Sequence, residues 1–372
     1  MLATHQAILA DLAARDRFRL LAPRRGVDFS SNDYLGLASS PRLARAVADA
    51  VAQGVPVGSG GSRLLRGNAE EHETLEVEAA RFFGAEAALF FSSGYAANAA
   101  LLSTLPQRGD LIVHDALVHA SAHEGMRLGR ADCVSATHND PEAFEEAIAD
   151  WRRRGGKGRP WIVVESLYSM DGDCAPLSAL ADLAGRHDAM LVIDEAHATG
   201  VFGTNGRGLA EALEGRENVI TLHTCGKGLG CEGALLCGPA VMRSFIVNHG
   251  RQLIFSTAPS PLIASAVRES LRIVADEPER REALWALVAL AERVLAPCGV
   301  QPTGSQILPL ILGADMPTMR VAQAVQAAGF DVRGIRPPTV PAGTSRLRIS
   351  ITLNASAQDV EALAHAIEQA LR

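Results

Sequence analysis

Five short apolar runs, separated by stretches patterned as helices, restrict what this chain can fold into more than any other feature. They lie at residues 88–91, 111–113, 161–164, 190–193 and 218–222, and almost every position in them is hydrophobic. A strand that is apolar on both faces has to be covered on both, so these runs read as buried strands of a mostly parallel sheet in an α/β fold. Residues 141–153 and 177–187 carry helical periodicity between runs, which supplies the crossovers, and those should be right-handed. The aromatic share of 5% and the 34 glycines suit close helix-on-sheet packing. From about residue 260 the texture changes. Helical period extends over 263–295, strands are expected at 307–311 and 346–352, and helices at 319–328 and 357–371. The expected division is an N-terminal helix and arm over 1–40, a large α/β domain over 41–255 and a smaller α+β domain over 256–372. Residues 1–12 have an amphipathic helix pattern.

The formal net charge of −7 offers no basic footprint for nucleic acid. The one basic cluster, Arg152-Arg153-Arg154-Gly155-Gly156-Lys157, reads as a solvated loop. The first dozen residues lack the charged start and apolar stretch of a signal peptide. No run approaches the ~18 apolar residues that a membrane span needs. Cys133, Cys174, Cys225, Cys231, Cys237 and Cys298 are scattered without a C-x-x-C pair, which argues for reduced thiols and against a disulfide framework or zinc site. A cytoplasmic protein with no membrane or nucleic-acid partner is expected.

The run at 190–193 leads into Asp194-Glu195-Ala196-His197, and ligands of open parallel sheets bind at the carboxyl ends of strands. Asp-Glu-Ala-His also occurs in helicases, but that reading requires a G-x-x-x-x-G-K-[ST] phosphate loop. The Gly226-Lys227 pair is followed by Gly228, so the helicase reading fails. Lys227 follows a strand and stands among glycines, which are expected to leave its surroundings open. Alone it would be read equally well as a surface lysine. Paired with Asp194 it has a sharper meaning. Pyridoxal phosphate (PLP) needs a lysine amine for its aldehyde and an acid to keep its ring nitrogen protonated. His119 and His123 have the i, i+4 spacing of a metal pair, but no H-E-x-x-H context accompanies them and no metal is expected.

Further motifs make the resemblance specific. Asp194-x-x-His197, Thr224-x-Gly226-Lys227-x-x-Gly230 and Ser93-Gly94-Tyr95 resemble those of the α-oxoamine synthases, PLP enzymes of the aspartate-aminotransferase fold (fold type I). Ser31-Asn32-Asp33-Tyr34-Leu35-Gly36-Leu37, Gly58-Ser59-Gly60-Gly61-Ser62-Arg63 and Ser169-Met170-Asp171-Gly172-Asp173 also match in order, as do His119-Ala120-Ser121 and Arg207-Gly208. The likeness runs from about Phe29 to the C-terminus. The segment Arg336-Pro337-Pro338-Thr339-Val340-Pro341 is most similar to the biotin-pathway branch, which joins L-alanine to pimeloyl-CoA or its carrier-protein equivalent. Cys225 and Cys231-Glu232 depart from the pattern around the lysine and put the acyl-chain preference in doubt.

The resemblance implies a role for each matching residue. Lys227 would hold the cofactor and act as acid–base at the substrate Cα. Asp194 would pair with the ring nitrogen, His197 with the phenolic oxygen, and His119 would stack on the ring. Gly94, Tyr95 and Thr224 would bind the phosphate, with Ser256 and Thr257 reaching from the second subunit of a homodimer, and Ser169 would lie near the ring. Arg348 would bind the amino-acid carboxylate, where a bidentate fork is the natural choice. Asn32, Arg19 and Thr339 match substrate-side positions. Strand alternation makes Arg346 a surface residue. The alternatives are another α-oxoamine synthase, using glycine or serine with a different acyl-CoA, such as a 2-amino-3-ketobutyrate ligase or serine palmitoyltransferase, and a non-catalytic PLP-fold subunit.

Overall fold

Successive residues of a strand point to opposite faces, and the five apolar runs are used in that way. In a computed structural model that describes residues 2–372, Ile112, Val163, Val192 and Ile220 join one buried cluster with Leu101, Met126 and Ile246. Leu111, Val113, Ile162, Leu191, Ile193 and Val219 join another with Phe144, Ile148, Leu180 and Leu183. Both faces are therefore covered, and polar residues within these runs are rare for that reason.

The sheet has seven strands, in the spatial order Ala87–Phe91, Ala234–Gly238, Val219–Thr224, Met190–Asp194, Pro160–Glu165, Leu111–Asp115 and Asp132–Ala136. All neighbouring pairs are parallel except those of Ala234–Gly238, which is antiparallel to both its neighbours. Two of these strands are not visible in the sequence pattern. Asp132–Ala136 is a largely exposed edge strand and needs no apolar run. Ala234–Gly238 is fully buried, but its Ala, Cys and Gly carry little strand signal.

The chain divides into two compact units. The larger comprises residues 35–168 and 174–281 and contains the seven-stranded sheet. The smaller comprises residues 2–34, 169–173 and 282–372. It holds a three-stranded antiparallel sheet with Ser345–Ser350 between Arg333–Ile335 and Ile307–Gly313, and a short parallel pairing of Val27–Asp28 with Phe330–Asp331. The helices Asp315–Ala327 and Ala357–Leu371 pack on each other.

The single helix expected over 263–295 is two helices, Pro261–Asp276 and Pro278–Leu295. Glu277 between them has φ −116° and ψ 64°. Proline disfavours helical geometry in the residue before it and cannot donate an amide, so the chain stops and restarts at Pro278. Near the N-terminus a helix forms over Ala3–Ala14, but none of its residues is buried and Ile8 and Leu9 are exposed. The helix is therefore not amphipathic as expected over 1–12, since its apolar residues gather on no one face and none is buried; Met1 lies outside the described residues. Among the described residues, no helix is long and apolar enough to cross a membrane.

Candidate active site

At the carboxyl edge of the large sheet, the ends of the strands Ala87–Phe91, Pro160–Glu165, Met190–Asp194 and Val219–Thr224 border one cavity of about 370 Å³. It is lined by Gly94, Tyr95, His119, Asp194, His197, Thr224 and Lys227, together with Asn98, Ser121, Glu165, Cys231 and Glu232.

The strand Ala87–Phe91 is followed by Ser92, and Ser93 caps the helix Gly94–Thr104 by accepting from the Ala96 amide at 3.1 Å. The amides of a first helical turn have no intrahelical partner and face outward with the positive end of the helix dipole. A Cβ on Gly94 would stand 2.6 Å from Thr224 Cγ2, so a larger residue there would displace the Thr224 side chain. Thr224 donates to the Ala196 carbonyl at 3.3 Å, tying its strand to the turn after Asp194.

Asp194 ends the strand Met190–Asp194. Its Oδ1 accepts from the Ala196 amide at 2.9 Å and its Oδ2 from Asn98 Nδ2 at 2.8 Å. His197, three residues on, is 5% exposed. His119 precedes the helix Ala120–Leu128, and its Nδ1 accepts from the Ser121 amide at 3.2 Å. Burial pushes the His119 pKa below the ordinary histidine value. The charge of Asp194 opposes this, and Lys227 and His123 add to it. His123 meets the His114 ring edge-on at 4.9 Å.

Lys227 is half-buried on a loop closed by three backbone hydrogen bonds. These run from Cys225 N–H to Gly233 O at 2.8 Å, Cys231 N–H to Cys225 O at 2.7 Å and Gly230 N–H to Lys227 O at 2.8 Å. Gly226 is exposed with room around it, but Gly228 and Gly230 do not leave open space, contrary to the sequence expectation. A Cβ on Gly228 would lie 2.4 Å from the Thr199 carbonyl oxygen. One on Gly230, whose φ is +61°, would lie 2.5 Å from the Ala38 amide nitrogen. They let the loop press against its neighbours, which fixes where the lysine stands. Cys225 is fully buried and its thiol pKa is pushed up by that burial.

The other candidates are not among the cavity's lining residues. Ser256 and Thr257 are exposed in the larger unit and do not line this cavity. In the smaller unit, Arg348 is 6% exposed, with Nε donating to the Ser169 carbonyl at 2.5 Å and Nη1 to Ser350 Oγ at 2.6 Å. Its Nη2 is buried and has no hydrogen-bond partner among the described residues. Asn32 accepts from the Tyr34 hydroxyl at 3.1 Å. Thr339 and Arg19 are exposed, and the Thr339 amide closes a turn onto Arg336 O at 3.1 Å. Arg346 is not a surface residue. It is 3% exposed, and its Nη1 meets Asp171 at 2.5 Å and the Met170 carbonyl at 3.2 Å. The alternation argument fails because every residue of the central strand Ser345–Ser350 is buried.

Sequence reasoning missed Asn98 and Glu165, and it met Ser121 only as part of the His119-Ala120-Ser121 match, without a role. Asn98 had a signal, since it is one amide on an Ala- and Leu-rich helix and a buried amide needs a partner. Glu165, ending a strand like Asp194, offered only its position.

The model of the aminotransferase class I and II family matches residues 24–367. The chain is 43% identical over 348 residues to an 8-amino-7-oxononanoate synthase of Anaeromyxobacter sp. (strain K), covering 93% of this chain and 86% of that protein. It is 42% identical over 360 residues to that of Geobacter sulfurreducens, covering 95% and 91%. A serine palmitoyltransferase structure from S. paucimobilis with bound PLP superposes with a TM-score of 0.90 at 26% identity, over 99% of this chain and 97% of that one. An 8-amino-7-oxononanoate synthase structure from Francisella tularensis gives a TM-score of 0.78 at 26% identity, over 92% and 97%. With its strand-end lysine, aspartate and histidines in one cavity, the chain belongs to the class I and II aminotransferase family and, within it, to the α-oxoamine synthases that include the 8-amino-7-oxononanoate synthases.

Proposed function

We propose that this chain is a PLP-dependent acyltransferase of biotin synthesis that condenses L-alanine with pimeloyl-CoA, or pimeloyl-carrier protein, to 8-amino-7-oxononanoate with loss of CO2. The observation that carries this reading is the meeting of Lys227 and Asp194 in one cavity, in a chain 43% identical to such a synthase.

The cavity's donor set fits PLP. Lys227 offers an amine for the aldehyde, Asp194 an anion for a protonated ring nitrogen, His119 an aromatic face and His197 a partner for the phenolic oxygen. The first-turn amides at Gly94 and Tyr95 and the Thr224 hydroxyl suit the phosphate. When bound, PLP supplies the electron sink for a carbanion at the amino acid's Cα. With the cofactor bound, the Lys227 amine would take the alanine Cα proton and later return a proton to the product. Asp194 keeps positive charge on the ring favourable, which is preorganised electrostatic stabilisation. The buried, open Nη2 of Arg348 supports its binding the alanine carboxylate, with Asn32, Thr339 and Arg19 as further substrate contacts and Ser169 near the ring. The alanine carbanion forms a bond to the thioester carbonyl carbon while the thiol leaves. The carboxylate then departs as CO2 and its electron pair accepts a proton. Ser256 and Thr257 complete the phosphate site from the partner chain of a homodimer.

Glycine or serine as amino donor is the second reading, favoured by the TM-score of 0.90 with a serine palmitoyltransferase. One assay separates them. Purified protein with PLP is given L-alanine and pimeloyl-CoA, and free thiol release is followed beside a Lys227→Ala variant. Release with alanine that falls by more than about a thousandfold in the variant is expected. A visible cofactor band with release only from glycine or serine would move the assignment within the family. No band at all would sink the PLP reading.

A further inference from the structure

A hydrogen-bonded chain runs from Asp194 to His119, and its direction is fixed at each link. Asn98 Nδ2 stands 2.8 Å from Asp194 Oδ2 and 3.0 Å from Ser121 Oγ. A carboxylate only accepts and an amide nitrogen only donates, so the Asn98 amide is oriented by Asp194 and Ser121 Oγ is an acceptor. The hydroxyl hydrogen of Ser121 is then left for the 2.8 Å contact with His119 Nδ1. The Ser121 amide also donates to that nitrogen, at 3.2 Å. Two donors converging on Nδ1 need a lone pair there, so the imidazole carries its proton on Nε2.

Asn98 has no other evident reason to be polar. It is 3% exposed on the helix Gly94–Thr104, whose other buried residues are Ala and Leu. A buried amide is costly unless bonded. It lies one turn beyond Gly94, so the helix offered to the phosphate by its first amides also reaches the aspartate. The charged and titratable groups facing His119 are Asp194 at its strand end, Lys227 from its loop and His123 from its own helix, with Tyr95, Glu165, His197, Cys231 and Glu232 lining the same cavity.

We propose that Asn98 and Ser121 are positioning residues that couple Asp194 to His119, holding the first as an anion and the second as a neutral imidazole protonated on Nε2. This rests on the PLP reading above. Asp194 anionic favours a protonated ring nitrogen, and a neutral His119 places no second cation against the ring.

The test uses the PLP-loaded enzyme with Asn98→Ala, Ser121→Ala and the double variant. The readouts are PLP dissociation, the pH titration of the visible cofactor band and the kcat–pH profile. Asn98→Ala removes a bond to a charged acceptor and should weaken PLP retention about tenfold, with a shifted band titration. Ser121→Ala removes one hydroxyl and should leave PLP retention close to wild type. It leaves the residue-121 amide as the remaining donor to Nδ1 in place of two, so protonation there meets less competition and the acid limb of the kcat profile moves to higher pH. The double variant should change less than the sum of the singles, because the links share one chain. If Asn98→Ala does not fold, Ser121→Ala carries the test alone. Variants that lower the melting temperature but leave band titration, PLP retention and the acid limb unchanged would overturn the relay. A wild-type protein with no cofactor band would instead overturn the reading beneath it.

Discussion

Arg346 and Arg348 are two residues apart on one fully buried strand, and their partners separate their roles. Arg346 is consumed by Asp171 and by backbone carbonyls of Met170 and Thr344. Arg348 keeps one nitrogen unbonded. A guanidinium with an unused donor in a buried position suits a planar carboxylate, whereas lysine would offer a single point charge. Arg348→Lys should therefore raise the KM for alanine by about tenfold or more, with kcat changed less, in steady-state assays with the acyl donor saturating. Arg346→Ala should instead lower stability by about 3 kcal/mol in urea titrations, because it strands Asp171 and leaves a space. Equal KM effects from the two substitutions would contradict this division. At this scale the sequence was most informative where chemistry needs an unusual residue, as with Lys227 after a strand and Asp194 at a strand end. It was least informative where a common residue gains meaning only from a neighbour distant in sequence. Asn98 and Ser121 are of that kind, since their partners are brought together by separate strands and helices.

The turn after the strand Leu111–Asp115 carries His119 into the cavity, and Asp115 shapes it. Asp115 accepts from the Leu117 and Asn139 amides at 2.8 Å each and meets His138 at 2.9 Å. Burial alone would raise its pKa, but these bonds hold it below the ordinary carboxylate value. The native state then binds fewer protons than the unfolded chain between the two pKa values. The stabilisation is fully present above the unfolded value of about 3.9 and is lost as the pH falls through the folded one. Asp115→Asn should cost about 2 kcal/mol at neutral pH and flatten the acid limb of stability, read from urea midpoints across pH. An unchanged acid limb would mean that the carboxylate is not the group that titrates. Helices and strands with strong periodicity were legible in the same physical terms, because burial on both faces leaves continuous apolar runs. The edge strand Asp132–Ala136 was not, since its exposed positions impose no pattern. The break at Pro278 was written in the sequence but overridden by the helical period on either side.

At the scale of the whole molecule, the exposure of Ser256 and Thr257 matters most. Both residues are on the surface of the unit that holds the cavity, and neither lines it. Phe255 beside them is 73% exposed, with the Arg251 guanidinium over its ring at 5.1 Å. If these hydroxyls act on the phosphate, they act in another copy of the chain, and each site of a two-fold dimer draws on both subunits. Complementation tests this directly. One chain carries Lys227→Ala and the other Ser256→Ala with Thr257→Ala, and the two are co-expressed with different tags. A hybrid dimer then contains one site with both substitutions and one with neither. Thiol release at limiting PLP should reappear in the doubly tagged fraction, although each parent is deficient under the same conditions. With hydroxyls acting in their own chain, every hybrid site would carry a defect and the doubly tagged fraction would gain nothing over its parents. A protein that elutes as a monomer with full activity would remove the shared site altogether.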